Sequence, residues 1–177
     1  MDKYSEFYTY YKNEDWENAK SELLKFLEID SQNFWYNSSL SSVYYELRNY
    51  PVALKYAKKA FELNPNSPLV LWDYAGVLYM LDQEKKAIEF WEKIISLDDN
   101  KIAFELTTEG IKWAKSLKYD CYYRIGQAYY YLENDNLAKK YVQSHLEKRK
   151  RGIKSRYKKS EVVNFLNKIN VEFCDNS

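Results

Sequence analysis

A period of 34 residues constrains the fold of this chain more than any other feature of its sequence. Short polar segments recur so that Ala19, Ala53 and Ala87 lie 34 residues apart. A fourth copy places Ala138 a further 51 residues on, which is one period of 34 plus 17 residues. Repeats of about 20 to 50 residues are typical of proteins built by stacking one small structural unit. The sequence therefore predicts four repeats, with an insertion of about 17 residues within residues 100–118.

Each repeat has the apolar spacing of two helices joined by a short polar turn. In the second repeat, Leu40, Val43 and Leu47 fall on one helical face, and Ala53 and Ala57 continue the pattern after the turn. The chain has only 4 Gly and 3 Pro in 177 residues, and 46% of its residues are hydrophobic. Few helix breakers and enough apolar surface for a core favour an all-α protein. Because one hairpin cannot bury all of its apolar surface, neighbouring hairpins are expected to stack.

The residue types within the repeats resemble those of the tetratricopeptide repeat (TPR) family, whose pattern has small residues where helices cross closely. The second repeat is the fullest match, with Ser41, Tyr44, Ala53, Ala57, Ala60 and Pro65. The third has Ala75, Leu78, Ala87, Trp91, Ile94 and Asp99, and the fourth has Gly126, Tyr129, Ala138, Val142 and His145. The resemblance implies an all-α, right-handed α-α superhelix, a TPR solenoid of four helical hairpins. These hairpins comprise residues 1–33, 34–67, 68–101 and 119–152.

Both ends of the array and the insertion depart from the repeat pattern. Phe7 and Phe26 replace small residues of the family, so the first hairpin is expected either to pack less tightly or to act as a divergent N-terminal cap. Residues 153–177 are expected to form a basic linker and a C-terminal capping helix, because residues 160–173 have one apolar side. That side consists of Val162, Val163, Leu166, Ile169 and Phe173. For the insertion, either the first helix of the fourth hairpin begins near Thr108, or a separate short helix and a loop precede it.

Aromatic residues are the feature from which a function can be predicted. They make up 18% of the chain, with 19 tyrosines, and the resemblance implies that the first helix of each hairpin lines a concave groove. One groove position is tyrosine in every hairpin: Tyr11, Tyr45, Tyr79 and Tyr130. The full groove set is Tyr4, Tyr8, Tyr11, Trp35, Ser38, Ser42, Tyr45, Trp72, Asp73, Tyr79, Tyr123, Arg124, Gln127 and Tyr130. Tyr and Trp offer large rigid contact areas with a hydrogen-bonding tip, which suits a bound protein or peptide segment.

An alternative explanation of these tyrosines is that they only pack against one another. The chain is also rich in Asn, Lys and Ile, so coding bias can account for the enrichment. Some TPR proteins bind an EEVD-type chaperone tail by holding its terminal carboxylate with Lys, Asn and Arg side chains. The matching positions here are Tyr4, Tyr8, Ser39, Leu69 and Asp73, which supply neither a cation nor an amide. Recognition of such a tail is therefore not expected.

The C-terminal end of the chain differs in charge from the rest. Residues 148–177 contain 9 basic and 3 acidic residues (net +6), whereas residues 1–147 contain 18 and 23 (net −5). The basic segment, residues 148–159, contains Lys148, Arg149, Lys150, Arg151, Lys154, Arg156, Lys158 and Lys159. Such a segment is suited to the phosphates of a nucleic acid, an anionic membrane surface or an acidic partner. The alternative is a solvated helix end whose cations complement the helix dipole.

Catalytic and cofactor motifs are missing from the sequence. The single histidine, His145, is at a position that is normally packed, and Cys121 and Cys174 are 53 residues apart with no metal-binding pattern around them. No phosphate loop or nucleophile motif occurs, and no apolar stretch is long enough to span a membrane. We therefore expect a non-enzymatic, cytoplasmic scaffold with reduced thiols, no cofactor and no metal.

The partner of this scaffold is expected to be a protein or a peptide segment held in the groove. Binding of a nucleic acid or an anionic surface through the basic segment is the main alternative. A further alternative is a dedicated chaperone or immunity-type protein that binds one partner. Self-association into a homo-oligomer is also left open, because aromatic faces of solenoids can pair.

Overall fold

Helices dominate the computed structural model, which describes residues 4–105, 110–149 and 152–175. These ranges contain ten α-helices and no strand, so the predicted all-α class is confirmed. The helices are α1 (Ser5–Lys12), α2 (Trp16–Ile29), α3 (Phe34–Glu46), α4 (Tyr50–Leu63), α5 (Pro68–Tyr79), α6 (Glu84–Ser96), α7 (Asp99–Glu105), α8 (Gly110–Tyr131), α9 (Asp135–Lys148) and α10 (Lys159–Asp175). The chain divides into two compact units, unit 1 (Met1–Asp82) and unit 2 (Gln83–Ser177).

A residue in the left-handed region follows the first helix of each hairpin. These residues are Glu14, Arg48, Asp82 and Glu133, with φ of 57°, 57°, 55° and 56°. In three of the hairpins the next residue is Asp15, Asn49 or Asn134, whose side chain accepts a hydrogen bond from a backbone N–H of the following helix. Such a cap satisfies one of the N–H groups that have no partner within the helix. The sequence period therefore corresponds to a left-handed residue at the same place after each first helix.

Unit 1 contains the α1/α2 and α3/α4 hairpins and ends with α5. Its core cluster consists of Phe7, Ala19, Leu23, Leu40 and Val43. Phe7 is buried, and the ring of Phe26 lies 5.4 Å from the rings of both Tyr4 and Tyr36. The first hairpin is therefore packed through aromatic rings, and at the position of Phe7 each of the other hairpins has a small residue: Ser41, Ala75 and Gly126.

The insertion forms both of the elements that the sequence left as alternatives. A separate short helix, α7, covers Asp99–Glu105, and α8 begins at Gly110. With 22 residues, α8 is about 33 Å long, whereas α3 has 13 residues. Thr108, the predicted start of this helix, lies outside the described residues. The first helix of the fourth hairpin is therefore longer than the other first helices.

The predicted C-terminal capping helix is α10. Val162 and Ile169 of α10 are buried in a cluster with Val142 of α9 and Tyr123 of α8. Val163 and Leu166 are half-buried, and the side chain of Phe173 lies outside the described residues. The apolar side of α10 thus covers the α8/α9 hairpin, as a solenoid requires at its last repeat.

Gly126 marks a close contact between α8 and α9. A Cβ atom at this position would lie 2.6 Å from Cγ2 of Val142 and 3.1 Å from the backbone oxygen of Ala138. Gly76 of α5 is the contrasting case, since the nearest atom to a Cβ there, Cε2 of Tyr45, would be 3.8 Å away. The α8/α9 crossing therefore requires glycine, whereas α5 has room for a methyl group.

Alanine at these two glycines is expected to change stability in opposite directions. Gly126→Ala is expected to lower the free energy of unfolding by about 1–2 kcal/mol, because overpacking the crossing outweighs the gain in helix propensity. Gly76→Ala is expected to raise it by about 0.5–1 kcal/mol, because only the propensity changes. Urea denaturation followed by circular dichroism measures both effects. Equal effects of the two substitutions would contradict the close contact at Gly126.

Candidate partner-binding surfaces

Hydrogen bonds between groove-set side chains join the first helices of unit 1. The hydroxyl oxygens of Tyr11 on α1 and Ser42 on α3 are 3.1 Å apart. Ser38 Oγ on α3 donates to Oδ2 of Asp73 on α5 at 2.6 Å. The three first helices of unit 1 are thus connected through side chains that were predicted to face the groove.

An aromatic cluster of Tyr4, Tyr8 and Trp35 lies where α1 meets α3. The ring centroids are 6.5 Å apart for Tyr4 and Tyr8, 5.4 Å for Tyr4 and Trp35, and 6.2 Å for Tyr8 and Trp35. The two contacts made by Tyr4 are edge-to-face, a geometry that is favourable at such distances. Tyr8 is 52% exposed, whereas Tyr4 and Trp35 are half-buried. The aromatic cluster therefore combines fixed ring packing with one ring that is open to solvent.

The remaining groove-set residues of unit 1 are also half-buried. The ring of Tyr45 lies 5.6 Å from that of Tyr50 and is adjacent to Gly76 of α5, and Trp72 and Tyr79 lie on α5. The charged residues of α1, α3 and α5 are Glu6, Lys12, Glu46 and Asp73. Because only Asp73 of these belongs to the groove set, the first-helix surface of unit 1 is aromatic and nearly uncharged.

In unit 2, two groove-set tyrosines contact α10. Tyr123 is 2% exposed, with its ring 4.6 Å from Tyr157 and 5.8 Å from Phe165. Burial raises the pKa of Tyr123 to about 12. The ring of Tyr130 lies 5.3 Å from Phe165, and Nζ of Lys168 is 4.8 Å from the Tyr130 ring centroid. The structure therefore places Tyr123 in the core, where a partner has no access to its ring.

The other groove-set residues of unit 2 lie on the same helix. Cζ of Arg124 is 5.2 Å from the ring centroid of Trp91 on α6, a cation–π contact within unit 2. Gln127 is half-buried one turn further along α8. The sequence predicted a capping helix after the fourth hairpin, but it did not indicate which groove-set residues of α8 this helix would cover.

The linker before α10 is held against α8 by three hydrogen bonds. Ser116 Oγ donates to the carbonyl oxygen of Lys154 at 2.6 Å. The carboxylate of Asp120 accepts from Ser155 Oγ at 2.6 Å and from the backbone N–H of Arg156 at 3.0 Å. Sequence analysis did not identify Asp120, since one acidic residue in a helix carries no recognisable pattern.

In the basic segment, some side chains pack against the rest of unit 2 and others are exposed to solvent. Nζ of Lys148 lies 5.1 Å from the ring centroid of Tyr122, and Arg149 is half-buried. Lys150 and Arg151 lie outside the described residues. The side chains of the remaining members are exposed: Lys154, Arg156, Lys158 and Lys159.

Two polar side chains are buried beneath this linker. His145 is fully buried, and its Nδ1–H donates to the carbonyl oxygen of Tyr119 at 2.7 Å. Its Nε2 has no hydrogen-bond partner among the described residues, which fits a neutral ring, because a protonated ring would bury a second N–H. Burial lowers the pKa of His145 below 6.5. Burial raises the pKa of Asp120, against the lowering effect of its bonds to Arg156 and Ser155. His145 is thus a packed residue, as expected from its repeat position.

Acidification is expected to destabilise the fold through His145. The pKa of His145 in the folded protein lies below 6.5, so the unfolded chain binds the proton more tightly than the folded protein does. The neutral ring therefore contributes its full stability above pH 6.5. This contribution is lost as the pH falls through the pKa of the folded protein. The free energy of unfolding of the wild type is expected to fall in this window relative to that of His145→Gln. Urea denaturation between about pH 7.5 and 5.5 measures the difference.

The same pH series contains its own check. The raised pKa of Asp120 acts in the opposite direction, because the folded state binds that proton more tightly and gains stability as the pH falls. The two groups interact, since His145 lowers the pKa of Asp120 and Asp120 raises that of His145, so the difference between the two proteins reports the titration of this pair. Parallel pH profiles for the wild type and His145→Gln would contradict the role assigned to His145.

No metal-binding cluster or membrane-spanning helix occurs in the part of the chain that the structure describes. No three His, Cys, Asp or Glu side chains are grouped there so that they could hold a metal ion. None of its helices combines the length and the apolar character that a membrane span needs. Cys121 is buried, and burial raises the pKa of its thiol well above the usual value. Its thiol is therefore protonated and shielded from reagents.

Sequence comparison finds the repeats in two of the four predicted hairpins. The tetratricopeptide repeat family profile matches residues 36–67 and 119–144, which fall within the second and fourth hairpins. No curated protein matches the chain significantly.

Several solved structures resemble the chain over most of its length. PilF of Pseudomonas aeruginosa superposes with a TM-score of 0.71 and 19% identity, covering 96% of this chain and 66% of PilF. The 41-end fragment of MamA from Desulfovibrio magneticus RS-1 gives 0.70 and 17%, covering 99% of this chain and 88% of that fragment. The first TPR domain of Spaghetti (RPAP3), bound to the HSP90 peptide SRMEEVD, gives 0.60 and 19%, covering 82% and 96%. At this level of identity the likeness shows the fold, and the predicted class of TPR helical hairpins is confirmed.

Proposed function

We propose that this chain, which has the fold of tetratricopeptide repeat proteins and matches their profile in two hairpins, is a non-enzymatic adaptor that binds an extended segment of a partner protein on the first-helix surface of unit 1. The fold supports this proposal, since the related domain of RPAP3 has a peptide bound to it. The observation that carries it is the aromatic cluster, in which Tyr8 is exposed beside two rings that fix its position. Rigid aromatic side chains of this kind are the residues that dominate binding energies at protein interfaces.

The chemistry of the surface indicates what kind of segment it accepts. The peptide bound by RPAP3, SRMEEVD, ends in three acidic residues and one valine among its last four positions. The first helices of unit 1 offer such a peptide one cation, Lys12, against Glu6, Glu46 and Asp73. An acidic tail would therefore be repelled, and like charges are a means of rejecting a wrong partner. We infer a partner segment that is apolar or basic, in which aliphatic or aromatic side chains contact Tyr8 and Trp35.

Removal of two groove-set rings is expected to weaken partner binding. Tyr8→Ala combined with Tyr45→Ala is expected to lower the affinity at least about 30-fold, because truncation of an aromatic anchor typically costs 2 kcal/mol or more. The partner is identified by affinity purification from native cells with the wild-type protein. Its binding segment is then titrated against the purified wild type and the double variant by isothermal calorimetry.

The matched control is Tyr131→Ala on α8, because Tyr131 is 65% exposed and lies outside the groove set. Its affinity for the segment is expected to equal that of the wild type. Circular dichroism must show that the double variant remains folded. Since the surface is nearly uncharged, binding is also expected to persist as salt is raised. An unchanged affinity of the double variant, or an equal loss in the control, would contradict the proposed surface.

Three parts of the sequence-based hypothesis remain predictions. They are a cytoplasmic location, service to one dedicated partner as a chaperone or immunity-type protein, and self-association. The purification described above tests the last two of them. One dominant partner at high salt would support a dedicated role, whereas recovery of a second, differently tagged copy of the chain would support self-association.

A further inference from the structure

A second surface, on unit 2, has a chemistry opposite to that of the groove set. Residues 110–119 of α8 and 152–159 of the linker contain seven basic residues and no Asp or Glu: Lys112, Lys115, Lys118, Lys154, Arg156, Lys158 and Lys159. Lys118 is already paired, with its Nζ 2.8 Å from Oδ1 of Asp99. The exposed members of the set lie on two segments that are far apart in sequence, and sequence analysis recognised only the one in the linker.

The fold brings these two segments together. The bond from Ser116 Oγ to the carbonyl oxygen of Lys154 places the linker directly beside the first turns of α8. The two bonds to Asp120 fix the next residues of the linker in the same way. The carboxylate of Asp120 is itself only 2% exposed, so it anchors the linker without presenting a negative charge at the surface. Lys154 is therefore held on α8 and is not part of a free tail.

A pocket opens between the two segments. It has a volume of about 280 Å³ and is lined by Lys112, Trp113, Ser116, Gly152 and Lys154, which we name the cationic pocket. Lys112 and Lys154 are exposed, and Trp113 is half-buried. Pockets for whole small molecules usually measure about 300–1,000 Å³. The cationic pocket thus has room for one planar group beside the indole ring, with an ammonium group on each segment.

We propose that the cationic pocket binds single-stranded nucleic acid, with one base stacked on Trp113 and the flanking phosphates against Lys112 and Lys154. Proteins that bind single strands without sequence preference combine these two elements, aromatic platforms for bases and cations that follow the backbone. Duplex nucleic acid does not offer an unstacked base to such a pocket. The rest of unit 2 contributes further cations on the linker, Lys158 and Lys159, for more distant phosphates.

Other anionic partners fit this geometry less well. An anionic membrane favours aromatic rings that protrude into the interface, whereas Trp113 is half-buried and lines a depression. An acidic peptide would pair with the lysines but would leave the indole without a planar partner. The coincidence of a tryptophan with cations from two segments therefore favours a nucleotide base with its phosphates.

The proposal is tested with the full chain and a fluorescein-labelled oligouridylate of about 12 nucleotides. Fluorescence anisotropy is measured between about 50 and 200 mM salt. Trp113→Ala is expected to weaken binding at least about five-fold, because stacking on an aromatic ring contributes substantially per base. Trp113→Phe keeps a ring and is expected to retain most of the affinity.

The double variant Lys112→Glu, Lys154→Glu tests the phosphate contacts. It is expected to weaken binding at least about ten-fold. It is also expected to reduce the slope of log affinity against log salt by about 1.4, since each phosphate contact contributes about 0.7.

A matched charge control separates this site from general electrostatic attraction. Lys139→Glu with Lys140→Glu makes the same change in charge on α9, where both lysines are exposed, and is expected to change the affinity less than about two-fold at 150 mM salt. Circular dichroism establishes that each variant is folded, and Trp113→Leu, which removes the ring but keeps apolar bulk, replaces Trp113→Ala if that variant does not fold. No binding at about 50 mM salt, an equal loss in the control, or stronger binding to polyglutamate or phosphatidylserine vesicles would overturn the proposal.

Discussion

Close approach of the two helices within a hairpin is the constraint on which the other features of this fold depend. Ala19, Ala53 and Ala138 are 0% exposed at the same place in three hairpins. Small residues face two of them, since Ser41 Oγ donates to the carbonyl oxygen of Ala53 at 2.9 Å and Gly126 abuts Ala138. One face of the first helix packs against the second helix at this crossing, so its other faces contact the next helix or solvent. The position of a tyrosine within the repeat therefore determines what its ring contacts.

Adjacent tyrosines accordingly have different roles. The first of each pair stacks within its own hairpin: Tyr44 on Tyr56 and Tyr129 on Tyr141, with ring centroids 5.6 and 5.5 Å apart. The second, Tyr45 or Tyr130, is adjacent to the helix that follows the hairpin, which is α5 or α10. The helix α10 therefore packs on the α8/α9 hairpin as α5 packs on the α3/α4 hairpin. Because α10 covers α8, the first helix of the fourth hairpin, Tyr123 is a core residue.

These relationships separate what the sequence could predict from what it could not. Spacing alone predicted the hairpins and the capping helix, because small residues and apolar stripes recur with the period. The left-handed turns were not predictable, since Arg48 and Glu133 stand where glycine would be the recognisable signal. The burial of Tyr123 was not predicted. Its position in the repeat assigned it to the groove face of the first helix but did not indicate which element would pack on that face. The attachment of the linker depends on contacts between residues 35 to 38 positions apart, for which the sequence has no local pattern.

The side chain that makes this attachment has to be a carboxylate. Asp120 receives one O–H donor and one N–H donor from the linker, on different oxygens. An asparagine would offer one acceptor oxygen and turn an NH₂ group towards the second donor, leaving a buried polar contact unsatisfied. Burial raises the pKa of Asp120, and the two hydrogen bonds and the nearby Arg156 act against that rise. The buried carboxylate of Asp120 thus binds the linker and leaves the linker's lysines exposed to solvent. As a result, the basic residues form a surface with a defined position. The groove set of unit 1, by contrast, is held by aromatic packing that needs no charge.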